Sequence, residues 1–108
     1  MGAPMKIVEI TPRKKASLYV GLVKREAAIR KNGRGTFSRK GPARAGAATW
    51  SHKRFKGSVS LKREGGELVA AKIHSRTPED EGSLLKAFLG FVDRHFGDQV
   101  ATITIHYH

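Results

Sequence analysis

The sequence predicts an α+β domain: a small, largely antiparallel sheet with one long helix of the C-terminal half packed on one face, and a flexible, basic, glycine-rich loop. Three observations favour this fold. Residues 77–96 place apolar side chains three and four apart, residues 49–75 alternate along two arms around Gly65-Gly66, and residues 99–107 alternate again. Because 108 residues are the size of one domain, 1–108 is interpreted as a single domain.

A short strand and a helix are predicted first along the chain. Residues 6–10, KIVEI, read as a strand that Thr11-Pro12 ends. Residues 16–31 give a helical apolar stripe, with Leu18 and Leu22 on it, and Asn32-Gly33 is a suitable stop. Gly21 within the run LYVGLV would also suit a strand, so both readings stay open, and we favour the helix.

A loop is predicted next, over about 32–48. Gly33, Gly35, Gly41 and Gly46 lie in this segment among other small residues and Pro42. Such a composition buries too little apolar surface to offset the entropy of ordering the chain. A loop of this length in a small domain is expected to be functional or disordered.

The segment 49–75 is predicted to be a hairpin. A two-residue loop would put the apolar residues of the two arms on opposite faces of the sheet, since a slip of one residue reverses every side chain. A three-residue loop, 64–66, pairs Leu61 with Val69 and Val59 with Ala71, and puts them on one face. This second register is the one we expect, with Gly66 in the left-handed region.

The last two elements are a helix over 77–96 and a strand over 99–107. Thr77 is a suitable N-cap, Pro78 suits the first turn, and Gly97 suits the end of the helix. The strand is expected to bury one set of alternating side chains, Ala101, Ile103, Ile105 and Tyr107. The aromatic residues Phe88, Phe91, Phe96 and Tyr107 are interpreted as core residues rather than as a cofactor site.

The charge is strongly one-sided. The net charge is +12, and residues 11–63 hold sixteen Lys/Arg against the single acid Glu26, which gives +15. Residues 64–108 hold four Lys/Arg against seven Asp/Glu, which gives −3, and Lys6 and Glu9 cancel. A one-sided positive charge attracts polyanions: nucleic acid, an anionic membrane surface or an acidic protein.

We therefore predict a small basic protein that binds RNA or DNA through backbone phosphates and needs no cofactor. Glycines let a loop approach a phosphate backbone closely, and aromatic rings between the cations could stack on unpaired bases. The residues predicted to bind nucleic acid are Arg30, Lys31, Arg34, Arg39, Lys40, Arg44, Lys53, Arg54, Lys56 and Trp50, with Phe37 as a further stacking group.

The stacking role of Trp50 depends on strand continuity. If one strand runs unbroken from Thr49 to Arg63, Phe55 faces the core with Val59, and Trp50 lies on the open face beside Arg54. A bulge at Gly57 would exchange the two faces and bury Trp50.

Two other functions stay open. A protein-interaction or homo-oligomerisation module could use the C-terminal strand to pair with a second copy, or the basic segment to bind an acidic protein, so the chain is expected to be a monomer or a homodimer. A small metal-independent ribonuclease could use His52 between Lys53 and its neighbouring cations. No catalytic residue is assigned, because no nucleophile or nucleotide-binding motif is present.

Composition and motifs exclude several classes. The absence of cysteine excludes disulfide scaffolds and thiol chemistry. His106 and His108 lie on the same side of a strand but need a third ligand, so no metal site is expected. A basic helix over 13–31 could dock on a membrane only if its apolar face is not in the core. The first ten residues resemble no signal peptide and no run of about 18 apolar residues occurs, so a cytoplasmic protein without a membrane span is expected.

Overall fold

The computed structural model describes residues 5–14, 17–42, 44 and 46–107 and confirms the α+β fold. Six strands form one antiparallel sheet in the order β2-β3-β4-β5-β1-β6. The elements are β1 (Met5–Pro12), α1 (Leu18–Lys31), β2 (Phe37–Arg39), β3 (Ala47–His52), β4 (Ser58–Arg63), β5 (Val69–His74), α2 (Pro78–Phe96) and β6 (Val100–Tyr107).

The core lies between the sheet and the two helices. Val8 and Ile10 of β1, and one alternating set on β3, β4 and β5, are buried against the apolar sides of α1 and α2. The other face of the sheet bears small and polar side chains, such as Thr49, Ser60 and Lys72, and forms a shallow open groove. None of the helices that the structure describes is long and apolar enough to cross a membrane.

The helix over 16–31 is confirmed as α1, although it begins two residues later. The Ser17 hydroxyl accepts a hydrogen bond from the backbone N–H of Val20 (3.4 Å), which caps the first turn. Gly21, the residue that argued for a strand, has a packing role instead. A Cβ there would lie 3.1 Å from Cε1 of Phe96, so glycine lets the ring of α2 contact the backbone of α1.

The long helix is confirmed as α2. The Thr77 hydroxyl accepts from the backbone N–H of Asp80 (3.2 Å), and Pro78 lies in the first turn as predicted. The helix buries one apolar side, which includes Leu84, Leu85, Phe88, Phe91, Val92 and Phe96. It also buries Glu81, whose carboxylate forms an ion pair with Lys6 of β1 and joins the helix to the sheet.

The β4–β5 hairpin has the predicted faces but a different register. Leu61 pairs with Ala71 rather than Val69, so five residues, 64–68, connect the strands. Because the difference is two residues, Val59, Leu61, Val69, Ala71 and Ile73 still share the buried face, and hydrophobic alternation cannot separate the two registers. Gly66 adopts the predicted left-handed conformation (φ 74°).

The prediction of a loop over 32–48 is wrong for Phe37–Arg39, which form β2 at the edge of the sheet, and for residues 47–48, which begin β3. The Phe37 ring is buried against Trp50, Phe91 and the ring of His52, with centroids 5.7, 6.0 and 4.9 Å away. Burial of this ring stabilises a strand that the glycine-rich composition did not indicate. Residues 43 and 45 of the segment lie outside the described residues.

The prediction that β6 buries Ala101, Ile103, Ile105 and Tyr107 is also wrong. Ile103 is 37 % exposed, Tyr107 is 71 % exposed, and Ile105 is half-buried. The register places Ile103, Ile105 and Tyr107 on the helix side of the sheet. They lie opposite Ile10, Val8 and Lys6 of β1, respectively. They remain exposed because β6 is the outermost strand and lies beyond the helices. His106 faces the other side and pairs with Glu9 (2.5 Å), whereas His108 lies outside the described residues.

Candidate nucleic-acid interface

Trp50 does not belong to the exposed surface. Strand β3 ends at His52, a turn follows over 53–57, and Trp50 pairs with Val59. Trp50 therefore shares the core face with Val59 and is fully buried, with the rings of Phe88 and Phe91 at 6.2 and 5.2 Å. The predicted stacking roles of Trp50 and Phe37 are wrong, because neither ring can reach a base.

The turn over 53–57 is held by His52. Its Nδ1 atom accepts hydrogen bonds from the backbone N–H groups of Arg54 (3.0 Å) and Phe55 (3.4 Å), and its ring stacks on Phe55 at 4.6 Å. Lys53, Arg54 and Lys56 consequently project into solvent from an ordered turn. The sequence indicated these cations but left open whether they lie on a continuous strand or next to a bulge at Gly57.

Gly57 closes this turn against the start of α2. It has φ of 129°, and a Cβ there would lie 2.2 Å from the carbonyl oxygen of His74 and 2.7 Å from Cδ1 of Leu84. Only glycine fits that conformation and that space. The adjacent Ser75 hydroxyl donates to the carbonyl oxygen of Lys56 (2.7 Å), which fixes the second half of the turn.

The loop after α1 brings further cations to the same end of the sheet. The backbone N–H of Lys53 donates to the carbonyl oxygen of Thr36 (2.8 Å). The backbone N–H of Arg34 donates to the carbonyl oxygen of Ile29 (3.0 Å). Arg30, Arg34 and Lys53 thereby line one shallow cleft, together with Gly33, Gly35, Ser38 and Ser51. Cationic side chains, hydroxyls and glycines are the groups that contact phosphate.

The remaining predicted cations extend along β2. The backbone N–H of Lys40 donates to the carbonyl oxygen of Thr49 (2.7 Å), and Arg44 forms a bridge with Ala47. Arg44 thus lies at the opposite end of β3 from Lys53, beside Lys24 and Arg63. We call the resulting strip the basic edge: Arg30, Lys31, Arg34, Arg39, Lys40, Arg44, Lys53, Arg54 and Lys56.

Glu26 is a component of this region that sequence reasoning missed. Its side chain is buried beneath the edge, and its carboxylate lies 3.3 Å from Nε of Arg30. Burial raises the pKa of Glu26, while the cations of Arg30 and Arg39 oppose that rise. The i,i+4 spacing of Glu26 and Arg30 was a visible signal for the pair. Its burial depends on the position of β2, which the sequence did not indicate.

The other seven cations of the basic edge are exposed: Lys31, Arg34, Lys40, Arg44, Lys53, Arg54 and Lys56. Within the described ranges, none of them pairs with a carboxylate. The remaining ion pairs join Lys6 to Glu81, Arg63 to Glu67 and His106 to Glu9, and the Arg63–Glu67 pair lies near the strip, beside Arg44. Among the described residues, Glu26 is the acid that pairs with a cation of the basic edge, Arg30.

His52 has a structural role in the turn. Its Nδ1 atom is occupied by two backbone donors, and burial together with the Arg54 cation lowers the pKa of the imidazole. A ribonuclease centre at this residue would have to operate through Nε2 alone. Among residues 5–14, 17–42, 44 and 46–107, no three His, Asp or Glu side chains lie close enough together to hold a metal ion.

No protein-family model matches this chain, and no curated protein or solved structure matches it either. Its function is therefore inferred from the geometry and charge of the molecule itself.

Proposed function

We propose that this protein binds nucleic acid through backbone phosphates along the basic edge. The observation that carries the proposal is the strip of seven exposed cations without carboxylate partners, held on a strand, a turn and a helix end. A cation that no internal acid neutralises releases condensed counterions when it meets a phosphate, so each adds to affinity. The ordered backbone also lowers the entropy lost when these cations engage a ligand.

The same geometry favours phosphate contacts over base recognition. Binding of unpaired bases relies on exposed aromatic rings, whereas Trp50 and Phe37 are buried and Phe55 is stacked on His52. Lysine, arginine and serine side chains against the backbone carry no sequence information. We expect weak dependence of affinity on base sequence, and tolerance of both duplex and single-stranded ligands.

The length of the basic edge sets the size of the contact. From Lys53 to Arg44 the strip follows β3, whose six residues span about 20 Å at a rise of roughly 3.3 Å per residue. Nucleic acid rises about 3.4 Å per nucleotide along one strand, so the strip faces about six nucleotides. A site of this size suits a protein that binds many positions in a nonspecific way.

We place this activity in the cytoplasm, because a chain without cysteine has no disulfide that would require an oxidising compartment.

The test is a fluorescence-anisotropy titration with a labelled oligonucleotide at several salt concentrations. The variant Arg34→Gln, Lys40→Gln, Lys53→Gln, Arg54→Gln removes four exposed cations of the basic edge. We expect the log–log salt slope to become less negative by about 3 to 4 and the affinity at low salt to fall at least about 100-fold. The melting temperature should change little, since the four side chains project into solvent.

A matched control removes the same charge elsewhere. Lys14→Gln, Lys72→Gln, Arg76→Gln, Lys86→Gln also lowers the net charge by four at exposed positions, but off the basic edge. Affinity should then fall by less than about tenfold. Equal losses in both variants would contradict a localised site. The emission of Trp50 should not change on binding, because its ring is fully buried. Quenching would indicate that the indole contacts bases.

A protein-interaction module with an acidic partner remains the second candidate. The same seven cations support it, since carboxylate clusters are recognised by the same electrostatics. Failure of the wild type to bind RNA or DNA at low salt would favour this candidate. Cleavage of labelled RNA that His52→Ala abolishes would favour the ribonuclease instead.

A further inference from the structure

Strand β6 presents a long free edge. It spans eight residues, Val100–Tyr107, or about 26 Å, and pairs along one side with β1. Along its other side, no strand of the described part of the chain forms hydrogen bonds. The backbone N–H and C=O groups of that side are available to a further strand.

The composition of β6 is unusual for a free edge in this protein. Lys, Arg, Asp and Glu make up 28 % of the chain, but the strand VATITIHY contains none of them. Free edges are commonly guarded against pairing by short length, lysine, proline or a bulge. Strand β2 at the opposite edge has three residues and includes Arg39, whereas the middle and end of β6 have no such guard.

The side chains of β6 also lack cover. Ile103, Ile105 and Tyr107 lie on the helix side of the sheet, yet Ile103 is 37 % and Tyr107 71 % exposed. A row of β-branched and aromatic residues on one side of a strand is the pattern of a surface that packs against apolar groups. The core of the described residues contacts Ile105, whereas Ile103 and Tyr107 remain exposed.

We propose that β6 pairs antiparallel with β6 of a second copy of this chain. The two copies would be related by a two-fold axis perpendicular to the sheet that passes at Thr104, so two six-stranded sheets would join into one of twelve strands. This operation keeps the helices of both copies on the same side. Ile103 then faces Ile105 of the other copy, so the two apolar rows lie side by side and each removes part of the exposed surface of the other.

Charge does not oppose a second copy, because β6 would bring a strand without Lys, Arg, Asp or Glu to an identical strand. Two chains of net charge +12 repel each other unless their cations lie far from the contact. In the paired arrangement, the two β2 strands lie at opposite ends of the joined sheet, about 50 Å apart at roughly 4.8 Å per strand. That separation is several Debye lengths at physiological salt, so the basic edges contribute little repulsion. The strands that meet carry no formal charge except a histidine, His106, which Glu9 already pairs.

The experiment is sedimentation velocity on nuclease-treated wild-type protein in about 0.5 M NaCl, over concentrations from about 1 μM to 1 mM. These conditions exclude bridging by nucleic acid, so the result is independent of the proposed function. We expect a concentration-dependent increase from the monomer mass of 11.9 kDa to about twice that value. A monomer at every concentration would overturn the proposal, and would also be the result if β6 receives a strand from a different protein.

Two variants and a matched control locate the contact. Ile103→Lys and Tyr107→Lys each place a charge in the apolar row, and each should weaken dimerisation at least about tenfold. Val20→Lys makes the same change at a residue of equal exposure, 38 % against 37 % for Ile103, but on α1, and should leave the dimer unchanged. Tyr107 is the more exposed position, so its variant still tests the contact if Ile103→Lys fails to fold. A dimer that survives both β6 variants would overturn the proposal.

A disulfide tests the symmetry. The chain has no cysteine, so Thr104→Cys introduces a single thiol, which the two-fold axis places opposite its own copy. Residues directly opposite in an antiparallel pair have Cα atoms about 4.5 to 5.5 Å apart, within the range that a disulfide spans. Mild oxidation should link most of the Thr104→Cys protein into dimers and little of Ser60→Cys, which lies on β4. Equal yields from the two variants would contradict pairing through β6.

Discussion

At one edge of the sheet, β2 offers three residues, a basic flank and a buried Phe37; at the other edge, β6 offers eight residues without a formal charge except a histidine. Both strands have one neighbour, so each leaves one side of its backbone without a partner strand in the described residues. The difference lies in what surrounds them. The loop after α1 and the turn over 53–57 surround the β2 edge with cations, while Ile103 and Tyr107 remain exposed on β6.

Under the two proposals, one small sheet would separate two kinds of contact. Cations that guard an edge against another strand also attract a polyanion, so the features that close β2 to β-pairing suit it for nucleic acid. An uncharged edge attracts no polyanion and is open to a strand. Binding at one edge should therefore be separable by mutation from self-association at the other.

The largest expected effect is that of Gly57→Ala, at the end of the basic edge. Alanine would have to hold φ of 129° and would place its Cβ 2.2 Å from the carbonyl oxygen of His74. We expect the free energy of unfolding to fall by about 2 to 5 kcal/mol, measured by urea denaturation. In the protein that remains folded, the affinity for an oligonucleotide should fall because Lys53, Arg54 and Lys56 are displaced. Dimerisation through β6, measured by sedimentation velocity, should be unchanged.

Gly66→Ala provides the control for this experiment. Gly66 also has positive φ, 74°, but a Cβ there meets no atom within 4 Å, and the residue lies in the β4–β5 connection. Its loss of stability should be about 1 kcal/mol, with unchanged affinity for nucleic acid. A similar loss of affinity in both variants would mean that the turn over 53–57 does not position the cations.

The second prediction concerns Glu26→Gln beneath the basic edge. Burial is the main cause of the raised pKa of Glu26, so the folded protein disfavours its negative charge, and a neutral amide of the same shape should be tolerated within about 1 kcal/mol. Removal of this acid beneath the exposed cations should raise affinity for an oligonucleotide about two- to threefold at low salt. Anisotropy titration and thermal melting measure the two effects.

Glu9→Gln is the control, because Glu9 also forms an ion pair, with His106, but on β1 and β6 at the far edge of the sheet. Its affinity should remain close to that of the wild type. If Glu26→Gln instead unfolds the protein, the pair with Arg30 is a requirement of the fold, and the charge beneath the edge cannot be varied independently.

Local signals predicted the helices well. Thr77, Pro78 and the apolar spacing of α2 define a helix within a few adjacent residues, and their contacts in the structure agree. The signals failed where the outcome depended on distant parts of the chain. The alternation of Ile103, Ile105 and Tyr107 shows that one side of β6 is apolar, but only the strand order reveals that β6 is an outer strand on which Ile103 and Tyr107 stay exposed.

The candidate site was predicted only in part, because its geometry also depends on contacts between distant parts of the chain. The cations were visible in the composition, whereas the exposure of Trp50 depended on whether β3 and β4 are continuous. Gly57 with φ of 129° and the hydrogen bonds to His52 make a turn there, and this reverses the inferred faces. In the sequence, Glu26 was only the single acid among the sixteen cations of residues 11–63. Its position beneath the basic edge follows from the packing of α1 against β2, which is a long-range contact.

The smallest expected effect is the pH dependence of the turn over 53–57. Neutral His52 accepts two backbone hydrogen bonds through Nδ1, and burial and the Arg54 cation lower the pKa of its imidazole below the usual value near 6.5. As the pH falls, the unfolded chain takes up this proton before the folded chain does. The stabilisation from His52 is therefore fully present above about pH 6.5 and is lost as the pH falls through the folded-state pKa.

Thermal melting of wild type and His52→Asn at about pH 7.5 and pH 5.5 measures this effect. Asparagine can accept the backbone N–H of Arg54 through its side-chain oxygen but does not titrate, so the variant should lose less stability than the wild type on acidification. His95 also has a lowered pKa, and because it is present in both proteins the difference between them isolates His52. Equal losses in the two proteins would mean that the turn at the basic edge does not depend on neutral His52.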